Sequence, residues 1–221
     1  MKGISRKILC ALAILSAPAA AQEEEQEFGT LNILSLVAGD TPCEVKLSGQ
    51  AVMPDGLKAG NTTGWFFIPA GKHEMRIGHP EFRDASGTIE VAKGSTQVVV
   101  VFLMPSKRIK VDGTPYPPDL RIRRYPAFET PKGFALKAAS MLEEPARYSI
   151  GGKTFSFEKA DAIDIPNWNG NGFKVSQGEK TLASISNRED RGSYYVFFAG
   201  NPDGTHLAGI VHANPIAIPK P

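Results

Sequence analysis

Glycine and proline interrupt this chain so often that its folded part must be built from short elements. There are 22 glycines and 17 prolines in 221 residues. Between them lie brief runs of β-branched and aromatic residues, such as Leu31–Val37, Gly64–Ile68, His73–Ile77, Thr88–Val91 and Gln97–Leu103. Punctuation this dense disfavours long helices, and strands that recur with turn signals every ~8–12 residues are the pattern of a sandwich or barrel. The spacing predicts an all-β protein, and its length suits two small β domains or one large one. Residues 104–119 contain Met104-Pro105-Ser106 and Thr114-Pro115-Tyr116-Pro117-Pro118 and read as a stiff link. Within them Ile109–Gly113 reads as a possible short strand ending in a turn.

The N-terminus has the tripartite order of a secretory signal. Lys2, Arg6 and Lys7 precede the apolar stretch Ile8–Leu15, and Ala19-Ala20-Ala21 offers a small-residue cleavage site before Gln22. The apolar stretch is far short of the roughly 20 residues a bilayer span needs. Cys10 lies inside that stretch and no cysteine follows the small residues, which argues against a lipid-anchored N-terminus. Export to the periplasm or cell envelope, with no membrane span in the mature chain, is the expectation. Gln22–Thr30, with Glu23-Glu24-Glu25, reads as an acidic disordered leader.

The chain carries 25 basic and 23 acidic side chains. Three of the basic ones leave with the signal, so the mature part is nearly neutral. Nucleic-acid binding is disfavoured, because it needs clustered cations. Arg121-Ile122-Arg123-Arg124 is the densest basic cluster and reads as the solvated face of a strand, with a weaker reading as an anion or polysaccharide contact. Cys43 is the one cysteine left after cleavage. Alternating with charges in Cys43-Glu44-Val45-Lys46-Leu47, it reads as a small core residue.

The two halves resemble each other. The spacing that carries Pro42 onto Pro145 and Gly49 onto Gly152 also carries Trp65 onto Trp168, and these are the only tryptophans. Gly71-Lys72-His73 then aligns with Gly178-Glu179-Lys180, and Gly94-Ser95 with Gly192-Ser193. An internal duplication follows, with residues 31–105 as a first β-sandwich, 106–119 as a Pro-rich linker and 120–221 as a second sandwich.

No catalytic set emerges. The four histidines, His73, His79, His206 and His212, lack metal-ligand spacing. No metal or other cofactor is expected. Gly151-Gly152-Lys153-Thr154 has Arg147 where a phosphate-binding loop needs its first glycine, and it reads as a hairpin turn. Asp161 and Asp164 fall on opposite faces of an extended segment, which does not suit a glycosidase pair. No Gly-x-Ser-x-Gly elbow is present. The most suggestive binding loop is Asn167-Trp168-Asn169-Gly170-Asn171. Its tryptophan would stack on a sugar while Asn167, Asn169 and Asn171 bond hydroxyls, or it would fold back into the core. The alignment of Trp168 with Trp65 favours the core.

The stretch Ile68-Pro69-Ala70-Gly71 with the alternating strand after it, and Ile89–Ser95 with its turn and long apolar strand, is similar to PEGA-like exported domains. The order of signal, sandwich, Pro-rich link and sandwich also resembles the layout of periplasmic accessory proteins of alginate O-acetylation. The resemblance implies tandem Ig-like sandwiches and a binding or scaffolding role toward an envelope protein or polysaccharide. Its alternative is an accessory subunit of a polysaccharide-modifying machinery, whose partner supplies the chemistry. No functional residue is carried over by it.

Overall fold

The computed structural model describes residues 27–128, 133–158, 161–168, 171–186 and 192–213. The signal segment, all but the last residues of the acidic leader, and Asn169 lie outside the described residues. Within them the protein is all-β, with sixteen strands and no helix.

The expected pair of β-sandwiches is present, and the duplication extends to every strand. In the first unit β4 (Phe66–Pro69), β1 (Phe28–Leu36), β7 (Thr96–Met104) and β8 (Asp119–Pro126) form one sheet in that order. The facing sheet is β3 (Gln50–Ala51), β2 (Glu44–Leu47), β5 (Gly71–Gly78) and β6 (Ala85–Val91). The second unit repeats both orders. One sheet runs β12 (Ile163–Asp164), β9 (Phe134–Ser140), β15 (Gly192–Gly200), β16 (His206–His212). The other runs β11 (Lys153–Phe157), β10 (Ala146–Ile150), β13 (Phe173–Gln177), β14 (Lys180–Ile185). The first and seventh strands of each unit pair in parallel, and the other pairings are antiparallel. In letters the order is D-A-G-H facing C-B-E-F, distinct from the seven-stranded A-B-E-D over C-F-G of immunoglobulin constant domains.

Three apolar layers hold four sheets together. Leu31, Ile33, Val99 and Val101 meet Val45, Met75, Ile77 and Ile89 inside the first sandwich. Leu136, Tyr194, Val196 and Phe198 meet Tyr148, Ile150, Phe173 and Val175 inside the second. Between the sandwiches, Leu34, Leu36, Val98, Val100, Phe102 and Tyr125 pack against Met141, Tyr195, Phe197, Ala199 and Val211. Strands β1, β7 and β15 are therefore buried on both faces. Tyr125 lies 4.8 Å from Phe197 between ring centres, and the Tyr195 hydroxyl donates to the Pro126 carbonyl at 2.8 Å. Gly209 belongs to this layer too. A Cβ there would stand 2.8 Å from the methyls of Leu34, so any larger residue would have to displace Leu34 and Leu36 within the layer.

Several sequence expectations change. The link at 106–119 falls within the first unit, because β8 pairs along its whole length with β7. The first sandwich thus reaches Pro126, and residues 105–118 join β7 to β8 instead of joining two domains. The leader ends earlier than expected, since Phe28–Thr30 already belong to β1. The repeat needs a new register in its later part. Gly71 opens β5, whereas Gly178 lies in the turn after β13. Leu31 pairs with Gln97 as Leu136 pairs with Tyr194, so Val99 matches Val196. The Gly94–Gly192 alignment is one residue off, and a one-residue slip exchanges the two faces of a strand. Ala146–Ile150, Gly151-Gly152 and Lys153–Phe157 form the expected hairpin, with φ of 57° and 81° at its two glycines. Cys43 is buried in the first core, and burial pushes its thiol up to about 11.

Phe197 is the largest fully buried side chain of the middle layer. Phe197→Ala is expected to lower the unfolding free energy by roughly 3–5 kcal/mol. Urea denaturation of the two proteins measures this.

Candidate functional site

Of the residues singled out in sequence, Asn169 lies outside the described residues and Trp168 packs against protein. Trp168 is half-buried and closes one end of the second core. Its ring makes edge contacts with Phe134, Phe173 and Tyr194, all at 5.3 Å. Its Nε1 donates to the Asn171 carbonyl at 3.0 Å, which satisfies the polar edge within the loop. Asn167 is exposed and takes a φ of 60°, a left-handed conformation that asparagine tolerates better than most residues. The structure therefore brings Trp168 and Asn171 together, with the indole turned to protein. The likeness to Trp65 does not hold in space. Trp65 directly precedes β4 and packs on the layer between the sandwiches, while Trp168 follows β12 and packs inside the second sandwich.

The other chemical candidates are also structural. Tyr148 stacks flat on Phe198 at 3.8 Å, and its hydroxyl lies 2.8 Å from Nδ1 of His206. Burial pushes the Tyr148 hydroxyl well above its usual range. Burial, and then the Lys180 charge, hold His206 below its usual value. Both groups are thus neutral near pH 7. His206 is placed by the β15–β16 turn, in which Asp203 accepts from the Thr205 amide at 2.8 Å and from its hydroxyl at 2.6 Å. Asp164 is exposed and lies 3.6 Å from Lys137, on a two-residue strand. Among the described residues no group of three or more His, Cys, Asp or Glu is placed to hold a metal.

A groove lies elsewhere. Strands β6 and β8 are edges of the two facing sheets of the first sandwich. They touch at one end, where the Leu120 amide donates to the Arg83 carbonyl at 3.1 Å and the Arg83 amide to the Pro118 carbonyl at 3.3 Å. Beyond that point they part and leave a groove of about 510 Å³. Its floor includes Ile89, Leu120 and Ile122, and its rim carries Arg83, Arg121 and Arg124. A Cβ on Gly87 would meet nothing within 4 Å, so the groove is open above β6.

Strand periodicity explains this arrangement. Leu120, Ile122 and Arg124 share the inner face of β8, opposite Leu103, Val101 and Val99. The first two cover the core, and the third reaches the mouth where the sheets have separated. Since the N–H of Leu120 points away from β7, the N–H and C=O groups of Ile122 and Arg124 point to the same free edge. Asp119 anchors the closed end. Arg83 and Arg108 approach its Oδ1 at 3.5 and 3.7 Å, and Arg121 approaches Oδ2 at 3.4 Å. The first two are charge contacts too long for hydrogen bonds, and Oδ1 accepts none. Three guanidinium groups around one carboxylate leave this end of the groove positive. Asp84 is the other acidic lining residue. Sequence reading found Arg121–Arg124 as a cluster but not the groove, because Arg83, just before β6, and Gly87, within it, are distant from them in sequence.

No family model matches the chain, and no curated protein matches it in sequence.

The His206 arrangement makes stability depend on pH. A histidine whose folded value is depressed takes up its proton first in the unfolded chain. Its contribution is complete above the unfolded value near 6.5 and is lost as pH falls below it. Thermal melts from pH 7.5 to 5 are expected to show a larger fall in Tm for the wild type than for His206→Gln.

Proposed function

We propose that this protein is a non-catalytic binding protein of the bacterial cell envelope, exported by residues 1–21, that holds an acidic, extended segment of a partner protein along β8. The observation that carries this reading is the groove between β6 and β8, with its arginine rim and the free backbone edge of Ile122 and Arg124. An exposed strand edge presents unpaired N–H and C=O groups to another chain, and partner strands commonly add there. Arginines on the rim favour carboxylate-bearing partners through paired, charge-assisted hydrogen bonds. An envelope polysaccharide fits less well. The groove is lined by no aromatic side chain on which a sugar ring would stack. Any chemistry performed by the assembly belongs to the partner, in keeping with a scaffolding role.

The test is a titration with an eight-residue peptide alternating glutamate and valine, followed by amide NMR. Saturable binding is expected, with the Ile122 and Arg124 amides becoming protected from exchange. Arg124→Glu is expected to weaken binding about tenfold or more, since it replaces an attraction by a repulsion. Gly87→Leu, which fills the groove without changing charge, is expected to weaken it as well, and Trp168→Ala to leave it unchanged. Saturable binding of an acidic oligosaccharide with no peptide binding would replace the protein partner by a glycan.

A further inference from the structure

The connection between β7 and β8 holds a second feature. Among the described residues the exposed large apolar side chains are Ile109, Val111 and Tyr116, and all three lie on it. Single exposed apolar residues are ordinary on any surface. Three on one short segment are not, when the rest of the described surface has none.

The segment is a shaped hairpin. Ile109 and Pro115 are bridged, the Lys110 amide donates to the Thr114 carbonyl at 2.7 Å, and the Tyr116 amide donates to the Arg108 carbonyl at 3.1 Å. Asp112 fixes the tip by accepting from the Thr114 amide at 2.9 Å and its hydroxyl at 2.6 Å, and Gly113 takes the left-handed φ of 83° that the turn requires. At its base Lys107 lies 3.1 Å from Glu143 of the second sandwich and Arg108 3.7 Å from Asp119 of the first. Val111 is fully exposed at the tip and Ile109 is 69% exposed beside it. Lys107, Arg108 and Lys110 flank them. The Arg108 guanidinium lies 4.9 Å from the Tyr116 ring centre.

We propose that this hairpin, Lys107–Tyr116, seats the protein on an anionic lipid surface, with Ile109 and Val111 entering the acyl boundary and the basic side chains at the headgroups. Charge and shape argue for this occupant. The hairpin carries Lys107, Arg108 and Lys110 against one carboxylate, Asp112, which is turned back onto Thr114. Its apolar tip thus stands on a net positive segment that matches a bilayer carrying acidic lipids, and interfacial binding combines those two terms. A protein interface fits poorly, because a convex tip two residues wide offers far less than the ~800 Å² per partner of a stable complex. Exposed side chains held on a preformed turn lose little conformational freedom on insertion.

The experiment is co-sedimentation of the processed protein, beginning at Gln22, with vesicles of phosphatidylcholine and phosphatidylglycerol at 7:3 and with phosphatidylcholine alone. Binding to the anionic vesicles is expected, falling with added salt, and much weaker on the neutral ones. The double variant Ile109→Ser/Val111→Ser is expected to lose about tenfold or more of the partitioning, because its tip has no apolar side chain to bury. Replacing Lys110 by Ser should lose roughly fivefold. Both changes fall at exposed sites, so the circular dichroism melt stays that of the wild type. Gly87→Leu leaves vesicle binding unchanged, which separates the hairpin from the groove. No sedimentation with anionic vesicles, or equal sedimentation of wild type and double variant, overturns the proposal. So does loss of a captured protein partner on the same substitutions without any vesicle binding, which would make the hairpin a protein contact.

Discussion

The layer of apolar side chains between the two sandwiches is the constraint on which the rest depends. A strand in an ordinary sandwich buries one face and shows the other to water. Here β1, β7 and β15 bury both, so each unit's outer sheet face becomes a core of the whole protein. Separating the units would expose Val98, Val100 and Phe102 on one side and Tyr195, Phe197 and Ala199 on the other. Patches of that kind do not persist on a soluble surface. The parallel pairs β1–β7 and β9–β15 tie the start of each unit to its end at the centre of the stack. The two units thus share one strand order and are fused in energetics.

That fusion decides where binding can occur. Inner faces are filled, and the interior positions of Trp168, Tyr148 and Cys43 remove the side chains with the most chemical character from solvent or tie them to structural partners. What remains available is the perimeter, where sheets end. At β6 and β8 the two edges of the first sandwich diverge, and the opening is lined by Arg121 and Arg124 of β8 and by Arg83, which precedes β6. The link between β7 and β8 then projects from the same corner, with Asp119 joining the two features through its contacts with Arg83 and Arg108. The stack is a scaffold whose chemically varied side chains lie on edges and connections.

Much of the architecture was legible in sequence, and the failures have physical causes. Gly-Gly between Ile150 and Lys153, and the alternation of Cys43, Val45 and Leu47, announced a hairpin and a half-buried strand that the structure contains. The unbroken run Val98–Leu103 also announced a strand. Its lack of alternation carried a further message, that both faces are buried and a third layer must cover it. Tyr194–Ala199 says the same. Strand β9 gave the weakest signal, since Phe134–Ser140 contains Ala135, Ala138 and Ala139, poor strand formers that succeed because tight packing between layers favours small side chains. The linker was misplaced because prolines in a long connection look alike whether it joins strands or domains. In the candidate site, the tryptophan alignment failed because residues 52–65 join β3 to β4 while only residues 158–162 join β11 to β12, so the register is lost before either tryptophan. The groove was invisible because its two walls are far apart along the chain.

Differential scanning calorimetry of residues 22–221 tests the shared middle layer most directly. One transition is predicted, with equal van't Hoff and calorimetric enthalpies, because neither sandwich keeps its core closed without the other. Two resolved transitions, or a van't Hoff enthalpy near half the calorimetric one, would show two independent domains and contradict the account.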